Sequence, residues 1–112
     1  MKTTLSSILT QLTALAASPN WQAVETDGYY CLDYTGVDRG QRIHRRFGLL
    51  QAVFFERTGN HGDGLLDTEM ATVLGLPTAD AIQLRAASLA INCKREEVPE
   101  HLRGKLKTAL GL

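Results

Sequence analysis

Between residues 3 and 17, Leu5, Ile8, Leu9, Leu12 and Leu15 recur at steps of three and four. That spacing gathers apolar side chains on one face of an amphipathic helix. Thr3 or Thr4 is placed to cap it, and Ser18-Pro19-Asn20 ends it, because proline lacks the N–H and disfavours helical geometry in the residue before it. The pattern then changes period. Trp21 to Glu25 and Tyr29 to Tyr34 are rich in aromatic and β-branched residues and flank Asp27-Gly28, a pair suited to the positive φ angles of a tight turn. A β-hairpin is expected there, with Thr35-Gly36-Val37-Asp38 as the loop leaving it.

Residues 39–57 admit two readings. Ile43, Phe47, Leu50 and Phe54 follow helical spacing, with Asp38 as a cap and Thr58-Gly59 as a stop. Against this, Gly48 weakens a helix, Arg42, Arg45 and Arg46 oppose its dipole near the N-terminal end, and Val53-Phe54-Phe55 is β-prone. The helix is the preferred reading. Asn60-His61-Gly62-Asp63-Gly64 is a polar, glycine-rich loop. Beyond it, Asp67 caps a short helix through Leu74, closed by Gly75. Thr78 then caps another through about Cys93, with Ile82, Ala86, Leu89 and Cys93 on one face. Pro99 suits the first position of a last helix carrying Leu102, Leu106 and Leu110. These elements predict an α+β fold, mostly helical with about five helices and an N-terminal β-hairpin, in one domain spanning residues 1–112.

Composition agrees with one folded core: 112 residues, 44% apolar and 21% charged, close to the globular average. Twelve basic residues balance twelve acidic ones, so no long-range field draws the whole molecule to nucleic acid or an anionic membrane. The charge alternates in blocks, however. Residues 1–38 carry a net −3, residues 39–57 a net +4, residues 58–84 a net −4 and residues 85–112 a net +3. Cys31 and Cys93 lie far apart with no C-x-x-C spacing, which predicts two reduced, buried thiols and neither a zinc site nor a disulfide framework. Residues 5–16 superficially resemble a secretion signal, but Ser6, Ser7, Thr10, Gln11 and Thr13 interrupt the apolar run. No stretch approaches the roughly 20 apolar residues of a membrane span. A soluble, cytoplasmic protein is expected.

Three groups of residues bear on function. Arg39, Arg42, Arg45 and Arg46 surround His44, and on a helix Arg39, Arg42 and Arg46 share a face. Guanidinium groups so gathered suit the carboxylates or phosphates of a partner, unless Asp27, Asp33, Asp38 or Asp63 neutralise them within the fold. Nearby, Tyr29 and Tyr30 point to opposite faces of a strand, so one of them is exposed and available for contact. Third, residues 68–87 resemble a helix-turn-helix: Ala71 is small where two helices cross, Gly75 takes the turn, Leu76 plugs the core and Thr78 opens the second helix. That resemblance implies DNA contact through Thr78, Ala79, Gln83 and Arg85. Arg85 is the only cation among them, and Asp80 would face phosphate repulsion.

Catalytic motifs are missing from the sequence. His44, His61 and His101 have no metal-ligand spacing, and there is no nucleophile elbow or P-loop. His61 beside Asp63 is the one local pair suited to acid–base work. The sequence therefore predicts a small regulator, adaptor or inhibitor that binds a protein partner, without enzymatic activity, cofactor or metal. Its docking residues are Arg39, Arg42, Arg45, Arg46, Tyr29 and Tyr30. The alternative is a helix-turn-helix-like DNA-binding regulator; membranes are not a partner, and homodimerisation is compatible with either reading.

Overall fold

The computed structural model of the chain describes residues 3–89 and 100–112. Their element order is α1 (Leu5–Ala16), β1 (Trp21–Thr26), β2 (Tyr29–Asp38), β3 (Gln41–Gly48), α2 (Leu49–Thr58), α3 (Asp67–Leu74), α4 (Thr78–Ala87) and α5 (Glu100–Leu110). The class is α+β, as the sequence predicts. The hairpin, however, is two-thirds of a three-stranded antiparallel sheet in the order β1-β2-β3, and the five helices hold about half of the described residues.

The largest correction concerns residues 39–57. Gln41–Gly48 is a strand and only Leu49–Thr58 is helical. Likewise Thr35–Asp38, expected as a loop, continues β2 and pairs with Gln41–His44. Arg39-Gly40 makes the turn instead: both residues have positive φ, 51° and 78°, as do Asp27 and Gly28 at 52° and 80°. Positive φ at both central residues is what a two-residue type I′ hairpin turn requires. The helical spacing of Ile43, Phe47, Leu50 and Phe54 misleads because the chain changes period at Gly48. Ile43 and Phe47 face inward as strand residues, while Leu50 and Phe54 do so as helical ones.

Helix α2 is the hub of the core. Leu49, Leu50 and Ala52 through Phe55 are all buried, because α1, α3 and α4 pack around it and the sheet closes the remaining side. The Gln51 side chain accepts from the Gly48 N–H at its start, and Gly59 closes it in the left-handed conformation, φ 74°. At α1, Thr4 and Ser7 cap reciprocally: the Ser7 N–H donates to Thr4 Oγ1 and the Thr4 N–H to Ser7 Oγ, each at 3.1 Å. Ile8, Leu12, Leu32, Phe47, Val53, Leu84 and Leu106 are the largest fully buried side chains.

The two middle helices begin one residue earlier than capping by Asp67 and Thr78 would place them: Leu66 and Pro77 hold the cap positions. Helix α4 ends at Ala87, and its buried face is Ala81, Leu84 and Ala87, whereas Ile82 is 56% exposed. The expected Ile82-centred face is thus corrected by one residue. The small Ala71 and Ala81 are buried in α3 and α4, which neighbour each other. Cys93 and Pro99 lie outside the described residues. Among the described residues no helix is long and apolar enough to cross a membrane.

Candidate functional site

Strand alternation governs where the arginines go. Residues paired across an antiparallel ladder share a face, and Leu32↔Phe47, Tyr34↔Arg45 and Gly36↔Ile43 face the helices. Asp33↔Arg46, Thr35↔His44 and Val37↔Arg42 face the opposite way. The helical expectation that Arg39, Arg42 and Arg46 share one face with Arg45 beside it is therefore replaced. Arg42, His44 and Arg46 line the outer face of the sheet, Arg45 points inward, and Arg39 sits in the exposed turn.

Two of the four guanidinium groups are matched internally. Arg46 Nε and Nη2 donate to Asp33 Oδ1 and Oδ2 at 2.7 and 3.1 Å, a bidentate cross-strand pair that holds the arginine even more firmly protonated. Arg45 donates from both terminal nitrogens to Asp63, and the resulting hydrogen bonds hold the Asp63 carboxyl below the usual carboxylate range. Arg39 and Arg42 are exposed and form no salt bridge among the described residues. His44 Nδ1 lies 2.7 Å from Thr35 Oγ1.

His61 ties the loop after α2 to the hairpin tip. Its Nε2 lies 2.7 Å from Asp38 Oδ2, and its Nδ1 lies 2.9 Å from Arg45 Nη1. Arginine only donates, so Nδ1 accepts, and Nε2 carries the proton that it donates to Asp38. Both ring nitrogens are thereby occupied. The ring also stands edge-on to Phe47 and Phe55, at centroid distances of 5.8 and 5.1 Å. The His61 and Asp63 pair that suggested acid–base work is thus part of an Asp38–His61–Arg45–Asp63 chain that fastens the loop. A polar cleft of about 350 Å³ lies beside it, bounded by Ile43, Gln41 and Arg39.

Of the two tyrosines, Tyr29 is 44% exposed and Tyr30 is buried. Tyr30 is therefore a core residue, its N–H donating to the Ser88 carbonyl at 2.8 Å, and only Tyr29 remains available for contact. Tyr34 packs on Trp21, with ring centroids 4.8 Å apart. Tyr29 and Cys31 line a groove of about 290 Å³ together with Leu65, Leu66 and Arg85, among others. Cys31 is half-buried rather than fully buried, and that burial pushes its thiol up, against the lowering pull of Arg46.

Helices α3 and α4 do meet at a corner turned by Gly75 in the left-handed conformation, with Leu76 buried beneath it. Thr78, Ala79, Gln83 and Arg85 are exposed along α4. Val73 on α3 and Ile82 on α4 are exposed apolar residues. Among the described residues no three His, Cys, Asp or Glu side chains gather as a metal site.

Asp38, His61 and Asp63 form a network that sequence reasoning missed as a unit. Only the local His61–Asp63 pair was visible; Asp38 and Arg45 reach the loop through the register of β2 and β3. No protein-family model, no curated protein and no solved structure matches the chain.

Proposed function

We propose that this protein is a non-catalytic regulator, adaptor or inhibitor that docks an acidic protein partner on the outer face of its sheet. Arg42, Arg46, the turn residue Arg39 and the exposed Tyr29 make the contact. The observation carrying this reading is the placement of Arg42, His44 and Arg46 in one row on the sheet face opposite the helices. Arg39 and Arg42 there lack an ion-pair partner among the described residues. Guanidinium groups and tyrosine are the side chains most often found at the centre of protein interfaces. Arg45 and Tyr30 leave the docking set, since each is committed to the fold. The occupancy of both His61 nitrogens supports a structural role for that residue over acid–base chemistry.

The test is capture from a lysate of the encoding organism by wild-type protein and by R39Q/R42Q. A specific partner should be lost in the variant while its thermal melt stays unchanged, because neither side chain bonds within the described fold. Equal capture by both proteins would refute the reading. The helix-turn-helix alternative rests on the α3–Gly75–α4 corner. It requires duplex DNA binding with about 0.9 log units of affinity lost per log unit of salt for each phosphate neutralised. Retention of duplex DNA by wild-type protein at low salt, lost on Arg85→Ala, would favour it.

A further inference from the structure

The backbone of β3 offers more than its side chains do. A two-residue hairpin turn makes the residues flanking it, Asp38 and Gln41, a hydrogen-bonded pair, and bonding alternates from there. Gln41, Ile43, Arg45 and Phe47 thus direct their N–H and C=O groups to β2, whereas Arg42, His44 and Arg46 direct theirs out of the sheet. Two bonds fix this parity independently. The Tyr30 N–H reaches Ser88 O on the β3 side at 2.8 Å, and the Thr35 N–H reaches Asn20 O on the β1 side at 2.9 Å, so even-numbered β2 residues bond toward β3 and odd-numbered ones toward β1. Among the described residues, no backbone hydrogen bond joins residues 41–47 to anything except β2.

This is an edge of eight residues without a proline or bulge, and an open edge of that kind is a template for another strand. The side chains of Arg42, His44 and Arg46 belong to the same three residues whose backbone groups point outward. An added antiparallel strand would place a residue directly opposite each of them, with Cβ atoms about 5 Å apart. Acidic residues at alternate positions would meet Arg42 and Arg46. The intervening side chains would turn toward the helix side, where Ile43, Gln41 and Arg39 border the 350 Å³ cleft. A second copy of β3 is the wrong occupant, since antiparallel pairing about His44 sets Arg42 against Arg46 twice. The other edge, β1, has Glu25 as its only charge and so lacks a cationic row.

The geometry points to strand addition: β3 takes an extended segment of the partner with acidic residues at alternate positions, hydrogen-bonded to the backbones of Arg42, His44 and Arg46. This deepens the arginine-face reading and rests on it. The probe is the capped peptide Thr-Glu-Val-Glu-Val-Glu-Val-Thr, titrated at low salt into isotopically labelled full-length protein. Binding should slow solvent exchange of the Arg42, His44 and Arg46 amides by tenfold or more. It should weaken at least tenfold when the glutamate nitrogens are methylated, yet survive methylation of the valine nitrogens, which point away from β3. The proposal fails if the glutamate-methylated peptide binds as well as the parent, an outcome that leaves the arginine-face reading intact. It also fails if a lysine-for-glutamate peptide binds equally, if no binding occurs at millimolar peptide, or if the three amides are protected without peptide in proportion to protein concentration. Failure of the arginine-face reading registers separately, as equal lysate capture by wild type and R39Q/R42Q.

Discussion

If His61 is a fastener, removing its ring should damage the fold, and the structure sets the scale. His61→Ala loses two edge-on aromatic contacts, with Phe47 and Phe55, each worth about 0.5–1.5 kcal/mol beyond buried area. It also loses hydrogen bonds to Asp38 and Arg45, which for charged groups contribute about 1.5–3 kcal/mol each when buried. The His61 side chain is 27% exposed and that of Asp38 16%, and Arg45 keeps Asp63, so solvent and the remaining partner reduce the polar part by roughly half. The expected loss is about 2.5–6 kcal/mol, measured as a shift of the urea midpoint at unchanged slope. The melting temperature should fall by about 10 °C or more. Asp38→Asn keeps an acceptor oxygen for the Nε2 proton and should cost about 1 kcal/mol or less. A double-mutant cycle of His61→Ala with Asp38→Ala, which removes the acceptor, should give a coupling of about 1 kcal/mol or more. A His61→Ala loss below about 1 kcal/mol, or no coupling to Asp38, would refute the fastening role and reopen the ring to chemistry.

Gly62 has φ 73° and a Cβ there would lie 2.8 Å from Met70 Sδ, whereas Gly59 at φ 74° has open space. Gly62→Ala should therefore cost more than the roughly 1–2 kcal/mol of left-handed strain expected for Gly59→Ala, as read by urea unfolding; equal costs would show that Met70 yields freely. The Asp63 carboxyl is lowered in the fold by its hydrogen bonds with Arg45, so its contribution is fully present above the ordinary carboxylate range and lost as pH falls through the lowered value. The stability difference between wild type and Asp63→Asn should be largest near pH 6 and shrink below about pH 4; a difference that grows on acidification would contradict the pairing. Burial raises the Cys31 thiol, so at about pH 8 alkylation should be slower in the folded protein than in urea. The corresponding stability is present below the ordinary thiol range and lost as pH rises through it.

Much of the helical framework was legible because its causes are local. The stripe of Leu5, Ile8, Leu12 and Leu15, the stop at Pro19 and the left-handed Gly75 all act within one or two turns of chain. The Asp27-Gly28 turn was legible for the same reason. Strand β3 was not, because its inward face reads Ile43, Arg45, Phe47. A charged residue in the middle hides the alternation that marks a strand. Arg45 tolerates that position because Asp63, 18 residues later, meets it, and no local pattern announces such a partner. Arg39 at positive φ is also uncommon outside glycine, asparagine and aspartate. Composition singled out the arginine cluster, but its division between two faces depended on the strand.

The same charges that would select an acidic strand also keep copies of the protein apart, and this yields a sharper prediction than loss of binding. In antiparallel pairing of two β3 edges about His44, Arg42 of one copy faces Arg46 of the other, twice, with backbone groups correctly directed for bonding. Like charges directly opposite disfavour a pair by about 0.2–1 kcal/mol and opposite charges favour it by a similar amount. Replacing Arg42 with Glu converts both cross-copy contacts from repulsive to attractive. The gain is about 1–4 kcal/mol of association, roughly fivefold to several hundredfold in Kd, with the lower end favoured because Asp33 already engages Arg46. Sedimentation velocity at low salt should find R42E shifted toward dimer relative to wild type, while R42E/R46E, with glutamate facing glutamate, should not dimerise. If R42E sediments like wild type, or if the double variant associates as strongly as the single one, the arginines do not govern what the edge of β3 accepts.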